Sequence, residues 1–426
     1  ERYSGKSILN TYSYKAQTVR IAPLLLYSDV QRISKHIVKQ VMKTPSEFDD
    51  IRPFESEELP EVYDRLLASE QFQQVLNYLY PNVPIEAIAQ KMHQCKTSLE
   101  FQKVFAYPFL KGLIAKASTG CDMDSSAIDN TRQYTFVSNH RDIVLDSAFL
   151  SVLLIDNKFE TTCEIAIGDN LLSLPWVRDL ARLSKSFIVK RGLTPRELML
   201  ASVKMARYMI FALKEKHENL WIAQREGRAK DSNDLTQKSI LKMFALGAEG
   251  TLLEKLQQFH IVPLAISYEY DPCDYLKAAE MQAKRDDANW KKGPMDDVVS
   301  MQTGIIGYKG AIHYQAAPCI DEYLETLKTA TDISNGQLLD AICLHIDKEI
   351  HRNYRLYANN YVALDELEGT VAYTDKYTAE DKAKFDAYLE KQLAKIEIPN
   401  KDEAYLRQRM LEMYANPTRN YLKANA

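Results

Sequence analysis

Between residues 133 and 318, short apolar runs alternate with longer stretches of helical periodicity, and this alternation constrains the fold more than any other feature. The runs lie at 134–137, 163–167, 186–190, 220–223 and 261–268, with a later pair near 305–308 and 311–316. Helical patterns occupy 142–155, 170–183, 196–217 and 236–258. Such alternation predicts an α/β fold, a mixed sheet flanked by helices. From 60 to 117 apolar residues recur at three- and four-residue spacings (Val62, Leu66, then Phe72, Val75, Leu76, Leu79), the pattern of a small helical bundle. The polar stretch 120–131 reads as a loop, and residues 320–426 return to helix. The expected organisation is a basic segment at 1–41, a helical domain at 42–130, an α/β domain at 131–318 and a C-terminal helical region at 319–426.

Bulk properties exclude several classes of function. The chain has 426 residues, 46% hydrophobic and 26% charged, with a net charge of −4, which does not fit a dedicated nucleic-acid binder. Anion binding must therefore be local. The six cysteines (95, 121, 163, 273, 319 and 343) include no Cys-x-x-Cys pair, which argues against a zinc site or disulfide framework and fits a reducing compartment. No apolar run approaches the roughly 20 residues that a membrane-spanning helix needs. The N-terminus lacks the order of a signal peptide. A cytoplasmic protein is expected, with peripheral contact at the inner face of a membrane as an additional option. Residues 1–41 carry seven Lys/Arg against two acids, a balance that suits either anionic lipid or a solvated tail.

Four of the apolar runs end in a polar or basic cluster. After 134–137 comes Asn139-His140-Arg141-Asp142, then a nearly unbroken apolar segment, 143–155, with Asp146 inside it. A carboxylate in such surroundings is costly unless paired, and His140 is the nearest candidate. A His–Asp pair at a strand-to-helix corner can take a proton from an alcohol. Residues six apart on an ideal helix are turned by roughly 600°, so the pairing requires His140 to precede the helix and fold back over its first turn. Asp142 fits the helix N-cap.

The second cluster is Lys190-Arg191-Gly192, read as either a phosphate grip or a surface charge pair. The third is Arg225-Glu226-Gly227-Arg228-Ala229-Lys230, where glycine allows close backbone approach and the cations favour an anion. The fourth follows 261–268, whose Pro263 implies an edge or irregular strand. Each cluster alone has a structural explanation. Their recurrence at strand ends, where open α/β sheets bind ligands, points to one site.

In these four blocks the chain resembles the glycerol-phosphate acyltransferase superfamily, which includes glycerol-3-phosphate and 1-acylglycerol-3-phosphate acyltransferases. The family's order is His-x4-Asp, a strand ending in Arg, a Glu-Gly-x-Arg block and an apolar Pro-containing strand. Here the matching stretches are 140–146, 187–191, 226–228 and 261–269, within a resemblance covering roughly 130–320. Two departures stand out. Five residues separate His140 from Asp146 where the family has four, leaving Asp142 as the alternative partner. Glu226-Gly227-Arg228 also lacks the intervening residue.

The resemblance implies an O-acyltransferase of phospholipid synthesis. Its acyl donor would be an acyl-CoA or acyl-ACP thioester, its acceptor the hydroxyl of glycerol 3-phosphate or 1-acylglycerol 3-phosphate, with no metal and no further cofactor. His140 would be the general base and Asp146 its orienting carboxylate. Lys190, Arg191, Arg228 and Lys230 would hold the substrate phosphate, and Glu226 and Gly227 would shape that loop. Direct transfer makes Ser138 no nucleophile. Rival readings are an acyltransferase acting on an amino-acid or lyso-lipid acceptor and a non-catalytic acyl-carrier- or lipid-binding relative. A hydrolase is disfavoured because no Gly-x-Ser-x-Gly elbow appears near a strand end.

Overall fold

Seven strands form one sheet in the order β1-β7-β6-β2-β5-β3-β4: β1 Gly120–Asp124, β2 Thr135–Ser138, β3 Cys163–Gly168, β4 Ser186–Val189, β5 Asn219–Ala223, β6 Ile261–Tyr268 and β7 Ala311–Ala316. The computed structural model describes residues 43–293, 295–329 and 332–426, so the basic segment 1–41 lies outside the described residues. Strands β2 to β6 run parallel, and β7 is antiparallel to β6 and parallel to β1. The mixed α/β sheet flanked by helices is therefore present. Its five parallel strands end on one edge, at Ser138, Gly168, Val189, Ala223 and Tyr268. All four sequence clusters follow such ends.

Side chains alternate between the two faces of the sheet, as the two-residue strand period requires. Phe136, Val262, Leu264 and Ile266 join one core with the helix Leu145–Asp156. Val137, Ile261 and Ala265 join the other, with the helices Pro195–Lys214 and Asn335–Arg352. The former helix is set by its sequence. Thr194 caps it, the Glu197 carboxylate accepts in return from the Thr194 amide, and Pro195 occupies the first turn. The N-terminal helices between Leu59 and Phe101 and the C-terminal helices between Ala358 and Asn425 have apolar clusters of their own, while Leu110 and Ile114 of the helix Tyr107–Ala117 join the sheet core. Residues 48–426 form a single compact unit, and the sheet draws on two of the expected segments, 42–130 through β1 and 131–318 through β2 to β7.

Several local expectations are corrected. The stretch 120–131 is not all loop: Gly120–Asp124 is the edge strand β1, with Cys121 and Met123 turned to the core. Its acidic alternates, Asp122 and Asp124, disguise it as a loop, and charge on an edge strand discourages further pairing. Residues 305–308 are not a strand, since Ile305 and Ile306 finish the helix Asp296–Ile306. A short apolar run cannot distinguish the two.

Pro263 sits inside the sheet, between β2 and β7, rather than at an edge. Its carbonyl accepts from the Ala317 amide (2.9 Å), so its N–H-less side also faces β7, just past that strand's end at Ala316. No ladder bond to β2 is lost. The helical pattern 236–258 divides into Lys238–Ala245 and Leu252–Gln257.

Candidate active site

The chain leaves β2 through Asn139, whose side-chain amide donates to the Ile266 carbonyl and whose oxygen accepts from the Ile266 amide, both at 2.8 Å. Sequence reasoning gave Asn139 no such role. It acts as an extra rung of the sheet and fixes where His140 begins. The helix starts only at Leu145. His140 thus lies outside it, and Asp146, in the first turn, reaches back. The His140 Nδ1 to Asp146 Oδ2 distance is 2.8 Å, and the same oxygen accepts from the amides of Arg141 (2.6 Å) and Asp142 (3.0 Å).

The five-residue spacing is absorbed by this loop, which wraps its own N–H groups around the carboxylate. Asp146 is fully buried, and its Oδ1 has no hydrogen-bond partner. A carboxylate can only accept, so the shared proton belongs on Nδ1 and the lone pair on Nε2. The indole of Trp221 meets the imidazole edge-on, with ring centroids 5.7 Å apart.

Asp142 is the helix cap. Its Oδ1 accepts from the amides of Val144 (2.9 Å) and Leu145 (2.8 Å), while burial and the nearby Asp146 charge push its carboxyl above the usual range. Gly304, in the helix Asp296–Ile306, lies against it so closely that a Cβ there would overlap Asp142 Oδ2. Arg141, between the two functional residues, turns its guanidinium inward. It pairs with buried Asp234 (3.1 Å) and lies over the Tyr354 ring. These contacts link positions far apart in sequence, and the sequence holds no signal for them.

His140 opens into a cavity of about 1110 Å³. Part of its wall is apolar, from Ile143, Ile165, Val177, Leu180, Met205 and Met243. Lys190, Arg191, Arg228 and Lys230 also line it, so the structure brings every proposed anion ligand to the cavity that holds His140.

Their states differ. Lys190 lies 4.0 Å from Asp50, and Arg191 pairs with Glu226 at 2.6 Å, so Glu226 shapes the loop by fixing a neighbouring strand's arginine. Gly227 adopts a left-handed φ of 67°, the conformation glycine takes at least cost. Arg228 follows, buried, and its Nη1 has no hydrogen-bond partner. Lys230 pairs with Glu280 (2.7 Å), yet burial lowers its ammonium to about 8. Glu280, and Lys292 at 3.9 Å from it, also line the cavity and had no sequence signal.

Among the described residues, one group of potential metal ligands, His260, Cys319 and Asp321, lies within 4.8 Å. It sits before the start of β6, at the end of that strand remote from the cavity, and His260 Nδ1 already meets Asp321 (2.6 Å). No helix among the described residues is long and apolar enough to cross a membrane.

Comparison with known proteins bears on this geometry. Residues 123–267 match the family model of acyltransferases, a span containing β2 through most of β6 and every proposed site residue. No curated protein sequence matches the chain. Among solved structures, the 1-acyl-sn-glycerophosphate acyltransferase PlsC from Thermotoga maritima aligns at 10% identity and a TM-score of 0.35, covering 70% of this chain and 97% of that one. Residues 123–267, within the longer chain, are therefore similar to the acyltransferase family domain.

Proposed function

We propose that the protein transfers a fatty acyl group from a CoA or acyl-carrier-protein thioester to a hydroxyl of glycerol 3-phosphate or 1-acylglycerol 3-phosphate. The observation that carries this reading is one cavity holding both His140, backed by Asp146 at 2.8 Å, and the buried, incompletely bonded guanidinium of Arg228. A base at one place and an unmet cation at another suit an alcohol that carries a phosphate. The apolar wall suits an acyl chain.

His140 Nε2 takes the hydroxyl proton as the oxygen attacks the thioester carbonyl, and Asp146 stabilises the resulting imidazolium. Collapse of the tetrahedral adduct breaks the C–S bond, and the imidazolium returns its proton to the leaving thiolate. Ester and free thiol are the products. Arg228 holds the acceptor's phosphate, aided by Lys190, Arg191 and Lys230. No step needs a metal or a further cofactor.

The test is acceptor profiling of the purified protein with both thioester classes. Glycerol 3-phosphate, 1-acylglycerol 3-phosphate, amino acids and lyso-lipid amines are offered in turn. An ester formed on a phosphorylated alcohol supports the proposal. Turnover confined to amine acceptors, or thioester binding with no transfer to any of them, refutes it.

A further inference from the structure

The helix Asp296–Ile306 breaks the usual rule that a surface helix turns its polar side to water. Met295, Val299, Gln302 and Ile306 follow the spacing i, i+4, i+7, i+11 and so share one side. That side faces solvent, with Met295 59%, Val299 41% and Ile306 75% exposed. The opposite side is also apolar: Met301 lines the active-site cavity and Ile305 packs on the sheet core. Only one of the helix's two apolar sides is covered.

Further exposed apolar side chains occur beside the same helix. Leu198, Met199 and Leu200 stand exposed in the first two turns of Pro195–Lys214, and Leu198 and Leu200 line the cavity together with Asp297 and Met301. At the far end, Ile306 enters a second groove of about 870 Å³ beside the exposed Val83 and Phe109. Apolar side chains gathered in this way mark a contact surface rather than chance exposure. Lys91 and Lys116 line the second groove, while Lys291 and Arg196 adjoin residues of the cavity mouth, and none of the four has a carboxylate partner among the described residues.

We infer that this face docks on an anionic lipid surface, with the apolar stripe among the acyl chains and these cations at the headgroups. The inference rests on the acyl-transfer reading only in its consequence: a docked cavity mouth receives a fatty acyl substrate directly from the bilayer. Apolar residues flanked by cations are the composition that holds a protein at the interface.

The experiment is co-sedimentation of the full chain with vesicles of phosphatidylcholine, alone or with phosphatidylglycerol, using wild type and the double variant V299D/I306D. Both substitutions are at exposed positions outside the cavity. The wild type should sediment with the anionic vesicles, and the double variant's binding should fall by about tenfold or more. Its turnover of a short-chain thioester and a water-soluble acceptor should equal wild type. Unchanged binding of the variant, carried for instance by basic residues 1–41, overturns the inference, as does a wild type that ignores vesicles. So does a wild-type dimer that V299D/I306D converts to monomer without vesicle binding, which would make the face a contact between copies. Vesicle binding is read without turnover, so failure of the acyltransferase proposal would leave its own separate signature.

Discussion

The loops that follow β2 and β5 emerge from adjacent parallel strands, yet they treat buried charge in opposite ways. After β2, Asp146 gathers an imidazole and two backbone N–H groups on a single oxygen before any substrate arrives. After β5, Arg228 keeps a buried guanidinium nitrogen without a partner. An unmet donor on a charged group costs more than an unmet lone pair on a carboxylate that already has three donors. Under the proposed function, the first loop, with its His–Asp pair already made, would serve the chemistry. The second keeps a donor that an anion would satisfy, and under the same proposal it would serve recognition.

This contrast can be broken by experiment. The largest effect is expected from His140→Ala, which should lower kcat by about 10³-fold, with Asp146→Asn close behind because the ring loses the acceptor that fixes its tautomer. Full activity in either variant would show that the β2 loop does not run the proton transfer. Arg228→Gln should raise the acceptor's KM by about tenfold or more while sparing the donor's KM. Equal effects on both substrates would erase the distinction between the two loops.

A smaller, pH-dependent effect belongs to Lys230. Burial holds its pKa at about 8, below the ordinary 10.5, so its charge is present below that pH and lost as pH rises through it. The acceptor's KM should climb a few-fold, on the order of 2–5, above that pH, and Lys230→Arg, which stays charged, should flatten the rise. A profile identical in both proteins would assign the trend elsewhere. Asp142→Asn should change least, retaining most activity. An amide oxygen still accepts from Val144 and Leu145, and burial already disfavours the carboxylate's charge. Loss of activity only in that variant would move the dyad from Asp146 to Asp142.

What the sequence revealed followed the range of each interaction. The α/β alternation and the clusters at strand ends are local patterns, so β2 to β7 could be placed, apart from the helical residues 305–308. The His140–Asp146 pair was visible because both partners lie in one corner, although helical geometry alone would have rejected the spacing. It took a loop whose N–H groups fold over the carboxylate to make room. β1 was hidden because its outward residues are aspartates. Lys230 looked like a free phosphate ligand, since its partner Glu280 is 50 residues away and nothing local reveals the pair. Long-range charge pairing, including Arg141 with Asp234, was beyond reach of any periodicity.

Gly304 gives the molecule a mechanical property that no charge supplies. Its missing side chain lets the helix that carries the exposed apolar stripe rest directly on the Asp142 carboxylate, one hydrogen-bonded step from the oxygen that orients His140. Even Gly304→Ala would wedge the two apart. The helix that carries the exposed stripe is therefore separated from the His140–Asp146 corner by the Asp142 residue alone.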